Sequence, residues 1–377
     1  MPDYEYVHYG DEPEYLPEPE ENKVEDPKDE RPNRKEAFLG LLIGLGYLTI
    51  FATIFLYIII IFRGNPYTDA ESAIMSSTAQ LISAAVSIIG MFFISRRVIK
   101  QIKEGFNLKA LARGLLYAVI LYIAAIITNI VMTMILGGAE TNANQSSINE
   151  LMVASPVLGF IFVVVAAPII EELIFRYYLF GAISKKSVIL AFLASSIGFG
   201  LIHMISSFAN YAAGGALSEL LNDLKTLPDY IVAGALFSFF YYKRKHISYT
   251  IFAHMIYNCF VTLIMLSSIR NSPLLIKNVK TTEDSISFNL TVLENTTVNK
   301  IELYEYKDGK ATTLIMELPV PTDNNYNNLE FETLPNQTVY EIKVTYQYDT
   351  VVLDTETFQP KTETLEGSLT THAKTRG

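Results

Sequence analysis

The sequence predicts an all-α, multi-pass membrane helical bundle of about seven spans, followed by an all-β sandwich. Half of its 377 residues are hydrophobic and only 18% are charged, a balance that favours a membrane protein over a soluble domain. The apolar residues are gathered in blocks close to the roughly 20 residues that a spanning helix needs. After Pro273 the blocks end, and short runs alternate apolar with polar residues and are rich in β-branched side chains and tyrosine.

Residues 1–36 are predicted to be a disordered, acidic, cytoplasmic tail. The first thirty residues hold twelve acidic residues against two lysines, and such a segment cannot bury a core. No cleavable signal peptide is predicted. The first apolar block, Phe38 to Phe62, is too long for a signal sequence and begins too late, so it is typical of a membrane-spanning signal anchor.

Seven apolar blocks predict the spans of a membrane domain over residues 37–270. They run Phe38–Phe62, Ile74–Ile94, Leu115–Leu136, Leu151–Ile183, Val188–Ile205, Tyr230–Tyr242 and Tyr249–Ser268. Lysine and arginine are distributed unevenly between the alternate loops, fourteen against three. Because positive loops stay on the cytoplasmic side, we predict an integral protein of the plasma membrane with a cytoplasmic N-terminus and an extracytoplasmic C-terminal domain.

The loop between the fifth and sixth blocks carries leucines at helical spacing. Leu217, Leu220, Leu221 and Leu224 fall at i, i+3, i+4 and i+7, which predicts a short amphipathic helix. A helix that lies at the outer membrane interface is the expected role, and a lid over a substrate is the alternative.

The segment after the last span predicts a β-sandwich of the Ig-like class over residues 271–360. Its runs "SISFNLTV", "NKIELYEY" and "VYEIKVTYQY" alternate apolar with polar residues between Pro-, Asn-, Asp- and Gly-rich breaks. The stretch "LPNQTVYEIKV" resembles the tyrosine-corner segment of fibronectin type III domains through Leu334, Thr338 and Tyr340. It departs from that pattern at Pro335 and in the lack of any tryptophan. Residues 361–377 are predicted to be a disordered tail.

Three segments place polar residues inside apolar blocks, where charges are costly and therefore suggest function. They are "EELIFR" with Glu171, Glu172 and Arg176, "FGLIH" with Phe199 and His203, and "HMIYN" with His254 and Asn258. A helical rise of about 1.5 Å per residue lets these groups converge near or on the cytoplasmic side of the bilayer centre. Their depths do not match fully, so at least one helix must be tilted, broken or longer than the bilayer, and the long fourth block is the expected one.

These residue types suit the hydrolysis of an amide bond. A carboxylate and an imidazole on separate helices can hold and deprotonate a water molecule, and a second histidine with an asparagine can donate hydrogen bonds to the developing oxyanion. Glutamate and two histidines could instead bind zinc and leave one position for water. Glu172 and Arg176, four residues apart, can form an ion pair.

The three motifs, in this order, resemble those of the CAAX protease and bacteriocin-processing family of intramembrane proteases, also known as CPBP or Abi. Its pattern is EExxxR, FxxxH and HxxxN or HxxxD on successive membrane helices, and the resemblance covers roughly Leu151 to Ser268. It implies that Glu171 activates water together with His203. It also implies an oxyanion site of His254 and Asn258. Supporting roles fall to Glu172, Arg176 and Phe199, and the ligands of a metal, if one is used, would be Glu171, His203 and His254.

The predicted function is that of an intramembrane endopeptidase acting on a membrane-associated protein or peptide. The alternative is a catalytically silent membrane scaffold, or an immunity or sorting factor, whose outer sandwich binds an extracytoplasmic protein partner. Transport is disfavoured because no inverted repeat is visible. Nucleic-acid binding is not expected, since no basic stripe lies outside the flanks of the membrane blocks.

Overall fold

The computed structural model describes residues 30–138, 142–353 and 360–377. Most of the predicted acidic tail lies outside these residues. Its boundary at residue 36 is wrong, because the first helix begins at Arg34. Asn33 caps that helix by accepting the backbone N–H of Glu36 at 2.8 Å, and the Glu36 carboxylate accepts the N–H of Asn33 at 2.9 Å. This reciprocal capping box satisfies two free donors of the first turn.

The helical part extends from Arg34 to Arg270. Its α-helices are α1 Arg34–Gly46, α2 Ala52–Arg63, α3 Asp69–Ile94, α4 Arg96–Gly105, α5 Leu108–Leu136, α6 Ala143–Ala154, α7 Pro156–Phe160, α8 Ala167–Glu172, α9 Gly181–Ile183, α10 Val188–Ile202, α11 Ile205–Ala212, α12 Leu217–Leu224, α13 Leu227–Arg244 and α14 Ile247–Arg270. Wider π-helical turns occupy Tyr47–Phe51, Ile161–Ala166 and Leu173–Phe180.

Four helical segments among the described residues are long and apolar enough to cross a membrane. They are Asp69–Ile94, Leu108–Leu136, Pro156–Ile183 and Ile247–Arg270, and the bent pair α10 and α11 raises the number to five if it forms one span. The chain is therefore a helical membrane protein, but the predicted count of about seven spans is not confirmed.

The fourth block is interrupted at Ser155, where α6 ends and α7 begins, and a second bend lies in the fifth block. The fourth block continues as Pro156–Ile183 and absorbs its length in π-helical turns, whereas α10 and α11 meet at an angle of 52°. At this bend the N–H of His203 bonds to the carbonyl of Gly200 and that of Met204 to Leu201. These three-residue bonds tighten the last turn and end the α-helical ladder.

Pro156–Ile183 is the most buried of the spanning segments and forms the centre of the helical core. Tyr177 and Tyr178 are fully buried there. The Tyr178 hydroxyl donates to the carbonyl of Met91 at 2.7 Å, and the Tyr177 hydroxyl lies 2.8 Å from Ser95 Oγ. Buried phenols need such partners, so these two contacts fix the segment against α3.

The amphipathic helix predicted between the fifth and sixth blocks is confirmed as α12, with Leu220 buried. The Asp223 carboxylate near its end accepts the backbone N–H of Ala143 at 3.2 Å. Since Ala143 begins α6, this bond joins α12 to a helix that lines the central cavity described below. The role of α12, as a helix at the membrane interface or as a lid over a substrate, stays a prediction.

The part after Leu274 is all β, with seven antiparallel strands among the described residues. They are β1 Leu274–Thr281, β2 Ile286–Val292, β3 Thr296–Lys307, β4 Lys310–Leu318, β5 Leu329–Phe331, β6 Val339–Leu353 and β7 Pro360–Lys374. One sheet has the order β1-β2-β5 and the other β4-β3-β6-β7. The inward side chains of both sheets form a single apolar core, as expected for a sandwich.

The predicted disordered tail over residues 361–377 is wrong, because β7 occupies Pro360–Lys374. This strand pairs with β6 along its whole length, from Val339 opposite Lys374 to Leu353 opposite Pro360. Its alternate positions include Gly367, Thr371 and Ala373, and such small residues give a weak hydrophobic period. The cross-strand hydrogen bonds stabilise what the side-chain pattern alone does not specify.

The tyrosine-corner residue lies where the sequence pattern suggests. Tyr340 is 1% exposed, and its hydroxyl donates to the carbonyl of Pro335 at 3.5 Å, a bond of the kind that closes a tyrosine corner. The core that lacks tryptophan contains instead the stacked rings of Phe288 and Phe331, 5.8 Å apart. The fibronectin type III resemblance itself stays a prediction.

The last strand, β7, is hydrogen-bonded to the start of α3. Ala373 pairs with Thr68, and the N–H of Lys374 donates to the carbonyl of Tyr67 at 2.7 Å. The Asp69 carboxylate accepts the backbone N–H of His372 at 2.7 Å and lies 3.1 Å from its ring Nδ1. The sheet domain is therefore linked to the helical bundle by backbone pairing and by an ion pair.

We expect this junction to weaken as the pH rises. The hydrogen bond to Asp69 raises the pKa of His372, against the opposing effect of burial. A raised pKa means that the stabilisation is fully present below the unfolded value of about 6.5 and is lost as the pH rises through the folded value. The difference in thermal midpoint between the wild type and His372→Gln should thus be larger at pH 6 than at pH 9. Asp69→Asn should reduce this pH dependence without removing it, because the Glu341 carboxylate lies 3.4 Å from Nε2 of His372, and equal differences at both pH values would contradict the assignment.

A second prediction concerns Gly114, where α5 approaches α14. A Cβ at this position would lie 2.7 Å from the Cβ of Phe252 and 3.2 Å from the nitrogen of Ala253. Gly114→Ala should therefore separate the two helices and destabilise the fold by about 1–3 kcal/mol, as measured by thermal denaturation in detergent. Gly138→Ala is the control, since nothing lies within 4 Å of its added Cβ. Equal midpoints for both variants would exclude this close approach.

Candidate active site

One cavity of about 720 Å³ brings the three polar motifs together. Its lining includes all four predicted catalytic residues, Glu171, His203, His254 and Asn258, together with Phe199. They come from α8, from the bend between α10 and α11, and from α14. The remaining walls mix apolar side chains with hydroxyl and amide groups, so the cavity offers both apolar and polar contacts to a ligand.

The two adjacent glutamates have different surroundings because successive helical residues project about 100° apart. The Glu171 side chain lines the cavity and is 12% exposed, whereas that of Glu172 is fully buried. Oε2 of Glu171 is buried and accepts no hydrogen bond from the described protein. A buried carboxylate oxygen without a hydrogen bond is uncommon in folded proteins and is consistent with a bound water molecule or a catalytic role.

Glu172 is enclosed by two partners on different helices. His254 Nδ1 lies 3.1 Å from its Oε1, and Arg176 Nε lies 3.3 Å from its Oε2. The arginine contact is an ion pair without hydrogen-bond alignment, since neither atom has a hydrogen-bond partner. The pairing of Glu172 with Arg176, which the spacing alone predicts, is thus present. Glu172 also contacts His254.

Arg176 is fully buried and is packed by aromatic rings. Its guanidinium carbon lies 4.4 Å from the centre of the Phe199 ring and 5.0 Å from that of Phe237. Its Nη2 donates to the carbonyl of Gly234 at 3.3 Å. Cation–π contacts of this kind are strongest when desolvated. Arg176 therefore holds α10 and α13 against the segment that carries both glutamates.

His254 lies between the two carboxylates. Its Nδ1 faces Glu172, and its Nε2 lies 3.8 Å from Oε2 of Glu171, which is too long for a hydrogen bond. Because an ionised carboxylate only accepts, Nδ1 carries a proton. The ring also packs on Phe237, with centroids 4.6 Å apart. These contacts fix the orientation of the imidazole in the cavity.

His203 is oriented by its own helix end. Its Nδ1 lies 2.9 Å from the carbonyl of Phe199, so Nδ1 is the donor, and Nε2 of the neutral ring retains a lone pair. The Tyr230 ring stacks on it at 4.1 Å. Among the described residues no hydrogen bond or ion pair joins His203 to Glu171, although both line the cavity.

Asn258 makes a contact that the sequence did not suggest. Its Nδ2 donates to the carbonyl of Val163 at 2.9 Å. Val163 lies in the π-helical segment Ile161–Ala166, and such a wide turn leaves a carbonyl without its regular partner. Asn258 therefore ties α14 to the segment before the glutamates, with its amide donor occupied in this structure.

Several cavity residues were missed by sequence reasoning. Tyr230 lies at the start of a predicted span and was treated as apolar, yet its hydroxyl accepts from Nδ2 of Asn142 at 3.4 Å. Asp229 precedes it and also lines the cavity. An acidic residue in the first helical turn is a common cap signal, so its position gave no sign of a cavity function.

The lining carries negative charge that no basic side chain offsets. Glu171 and Asp229 are its carboxylates, and within the described part of the chain neither lysine nor arginine lines it. Arg176 lies behind the wall, in contact with Glu172. The cavity is thus suited to neutral or positively charged groups of a ligand.

The residues proposed as metal ligands do not form a ligand set. No group of three or more histidine, cysteine, aspartate or glutamate side chains in the described ranges could hold a metal ion. His203 Nδ1 is occupied by a carbonyl and His254 Nδ1 by Glu172. As placed, Glu171, His203 and His254 do not fit a zinc site, which needs ligands at about 2.0–2.2 Å from one point.

A helical membrane bundle that holds carboxylates and imidazoles around one cavity has the residue types of a membrane-embedded hydrolase, and comparisons with known proteins point in the same direction. Residues 153–260 match the family model described as "Type II CAAX prenyl endopeptidase Rce1-like". This segment of the chain is therefore similar to the Rce1-like CAAX proteases. The match contains all three polar motifs and excludes the sheet domain, and it supports the sequence-based family prediction at this level.

Named relatives agree with the family match. YdiL of Bacillus subtilis, named as a membrane peptidase, is 27% identical over 215 residues, or 56% of this chain and 80% of that protein. The "Membrane-embedded CAAX protease MroQ" of Staphylococcus aureus is 30% identical over 160 residues, 41% and 57% of the two chains. The "UPF0177 protein YvdC" of Lactococcus lactis is 26% identical over 147 residues, 39% and 50%. The chain thus spans about half the length of the last two. No solved structure matches.

The buried pair of Glu172 and Arg176 yields a stability prediction. Arg176→Gln leaves a buried carboxylate without its counter-charge, which should cost about 3–5 kcal/mol. Thermal denaturation in detergent measures the loss. The double variant Glu172→Gln, Arg176→Gln should be less destabilised than the sum of the two single variants.

The control for this prediction is an exposed pair at the same helical spacing. Lys100 Nζ lies 3.9 Å from Oε1 of Glu104, and both side chains are at least half exposed. Lys100→Gln should change stability by less than about 0.5 kcal/mol. A similar small effect for Arg176→Gln would show that the buried pair is not a structural requirement.

Proposed function

We propose that the chain is an intramembrane endopeptidase that hydrolyses a peptide bond of a membrane-associated protein or peptide. The observation that carries this proposal is that Glu171, which has one carboxylate oxygen without a hydrogen bond, lines a cavity shared with His203, His254 and Asn258. The family match and the relatives named as peptidases support the reaction class.

In the proposed reaction Glu171 acts as general base. It takes one proton from a water molecule in the cavity while the water oxygen attacks the carbonyl carbon of the scissile peptide bond. His203 assists by accepting a hydrogen bond from that water through Nε2, which its contact with Phe199 leaves free. The protonated Glu171 then gives its proton to the leaving amine, so that water is consumed and the base is regenerated.

The oxyanion of the tetrahedral intermediate needs hydrogen-bond donors. His254 is the proposed donor through Nε2, and this requires the doubly protonated ring because Nδ1 already donates to Glu172. Asn258 contributes only if its amide leaves the carbonyl of Val163 when substrate binds. A well-placed donor of this kind supplies about 3–4 kcal/mol of transition-state stabilisation. No step is assigned to a metal, since the side chains do not converge as ligands.

The membrane orientation belongs to the same proposal. The excess of lysine and arginine on alternate loops supports a cytoplasmic N-terminus. The sheet domain then lies on the opposite, extracytoplasmic side. We propose that the substrate enters from the membrane, since the walls of the cavity are formed by membrane helices.

The test of catalysis is a comparison of wild type with Glu171→Gln, a neutral variant of nearly equal volume. Membrane peptides are compared by proteomics between the two sets of cells, and peptides that depend on Glu171 are then offered to the purified full chain in liposomes. We expect the variant to lose at least about 100-fold in rate, as removal of a general base does.

The matched control is Glu219→Gln. Glu219 lies in the neighbouring α12, is exposed and does not line the cavity, so its variant should cleave like the wild type. Equal cleavage by wild type and Glu171→Gln would reject the proposed base. A loss of activity with a chelator that zinc restores would favour the metal-dependent alternative. If deletion of the sheet domain abolished the cellular function while Glu171→Gln did not, the scaffold alternative would hold.

A further inference from the structure

We propose that Asp229 forms a subsite that binds a lysine or arginine side chain of the substrate, about three or four residues from the scissile bond. This inference rests on the proposed function for its substrate, and it adds a specificity that the family motifs do not contain. It begins from a carboxylate in the cavity wall that the proposed reaction does not use.

Asp229 lines the same cavity as Glu171 and lacks a protein partner at one oxygen. Its Oδ1 is buried and has no hydrogen bond within the described protein. Leaving a buried carboxylate oxygen unpaired is costly, so a hydrogen bond from water or from a ligand would stabilise it. A cationic ligand would also neutralise the charge, and no lysine or arginine of the described chain lines the cavity.

A capping role does not account for this side chain. Asp229 lies in the first turn of α13, where acidic residues often stabilise a helix N-terminus. The N-cap residue Thr226, however, makes no side-chain cap hydrogen bond, and its hydroxyl donates instead to the carbonyl of Asp223. Asp229 makes no reciprocal capping bond with it, so Oδ1 stays available to the cavity.

The surroundings of Asp229 suit a long cationic side chain. Tyr230 follows it in the chain, and both Tyr230 and Tyr257 line the same cavity. Aromatic faces next to a carboxylate pack well against the methylene stem of lysine or arginine and attract its charged group. An acidic side chain would meet two like charges in this cavity, Glu171 and Asp229.

The position along α13 sets the distance from the reaction centre. Phe237 of α13 packs against His254, with ring centroids 4.6 Å apart. Asp229 precedes Phe237 by eight residues, or about 12 Å along the helix axis. An extended peptide advances about 3.3 Å per residue. The cationic residue should therefore lie about three or four positions from the scissile bond.

The experiment measures cleavage of a peptide set by the purified full chain in liposomes. A host peptide is taken from those that depend on Glu171, acetylated at its N-terminus, and made with lysine, norleucine or glutamate at each of six positions on either side of the cleaved bond. We expect lysine to be favoured over norleucine about tenfold in kcat/KM at one position near the third or fourth. In Asp229→Asn this ratio should fall to about one, and in Asp229→Lys glutamate should become favoured.

Two controls accompany this experiment. Glu219→Gln, outside the cavity, should keep the wild-type ratio. A second peptide set with free N-termini and no lysine tests whether Asp229 binds an amino terminus instead. A preference that appears only in that set would overturn the side-chain assignment. A lysine preference that persists in Asp229→Asn, or no preference at any position, would overturn the subsite.

A binding measurement separates this inference from the proposed reaction. The affinity of fluorescent lysine and norleucine peptides is measured by anisotropy on Glu171→Gln, with and without Asp229→Asn. Tighter binding of the lysine peptide that depends on Asp229, in a protein whose wild type cleaves nothing, would retain the subsite and reject the peptidase proposal. Cleavage without any lysine preference would retain the peptidase proposal and reject the subsite.

Discussion

The site depends on one buried charge arrangement, in which the Glu172 carboxylate is held between Arg176 and His254. Removing these charged groups from water costs free energy, and this desolvation cost is offset only when every partner is in place. Arg176 reaches Gly234 on α13 and stacks on Phe199 of α10, while His254 belongs to α14. A displacement of any of these helices would leave a charge unpaired, so the arrangement specifies how the catalytic helices meet.

This arrangement also separates the roles of two neighbouring carboxylates. Glu172 is neutralised by its cationic neighbour and has no access to the cavity, whereas the next residue toward the N-terminus faces the cavity with an oxygen that is not bonded. Environments that differ this much allow one carboxylate to support structure while the other exchanges protons. The two adjacent glutamates therefore have separate environments because successive residues of a helix project in different directions. Glu172 points into the protein core, and Glu171 points toward the cavity.

Residue types that are costly in an apolar helix are the reason that the sequence predicts Glu171, His203, His254 and Asn258 as site residues, and the structure places these four in one cavity. Tyr230 and Asp229 were not predicted, since tyrosine at a span end and aspartate in a first helical turn are ordinary, and their position in the lining is visible only when α6 and α13 are placed around the cavity. The bend at His203 and the π-helical turn near Val163 also depend on packing. In the sheet domain, the sequence did not predict β7. This strand is stabilised by its pairing with β6 and not by a hydrophobic alternation of its side chains.

The sheet domain lies outside the family match, yet it is joined to an element that forms part of the cavity wall. β7 is bonded to the first residues of α3 through Thr68 and Asp69. Ser77 and Gln80 of that helix line the cavity, about 12 and 16 Å further along the axis. A helix is stiff over this length, so a constraint on its first turn also restrains the position of the wall. The additional domain and the wall of the cavity therefore share one structural element, and the ion pair between Asp69 and His372 is one of the polar contacts that link them.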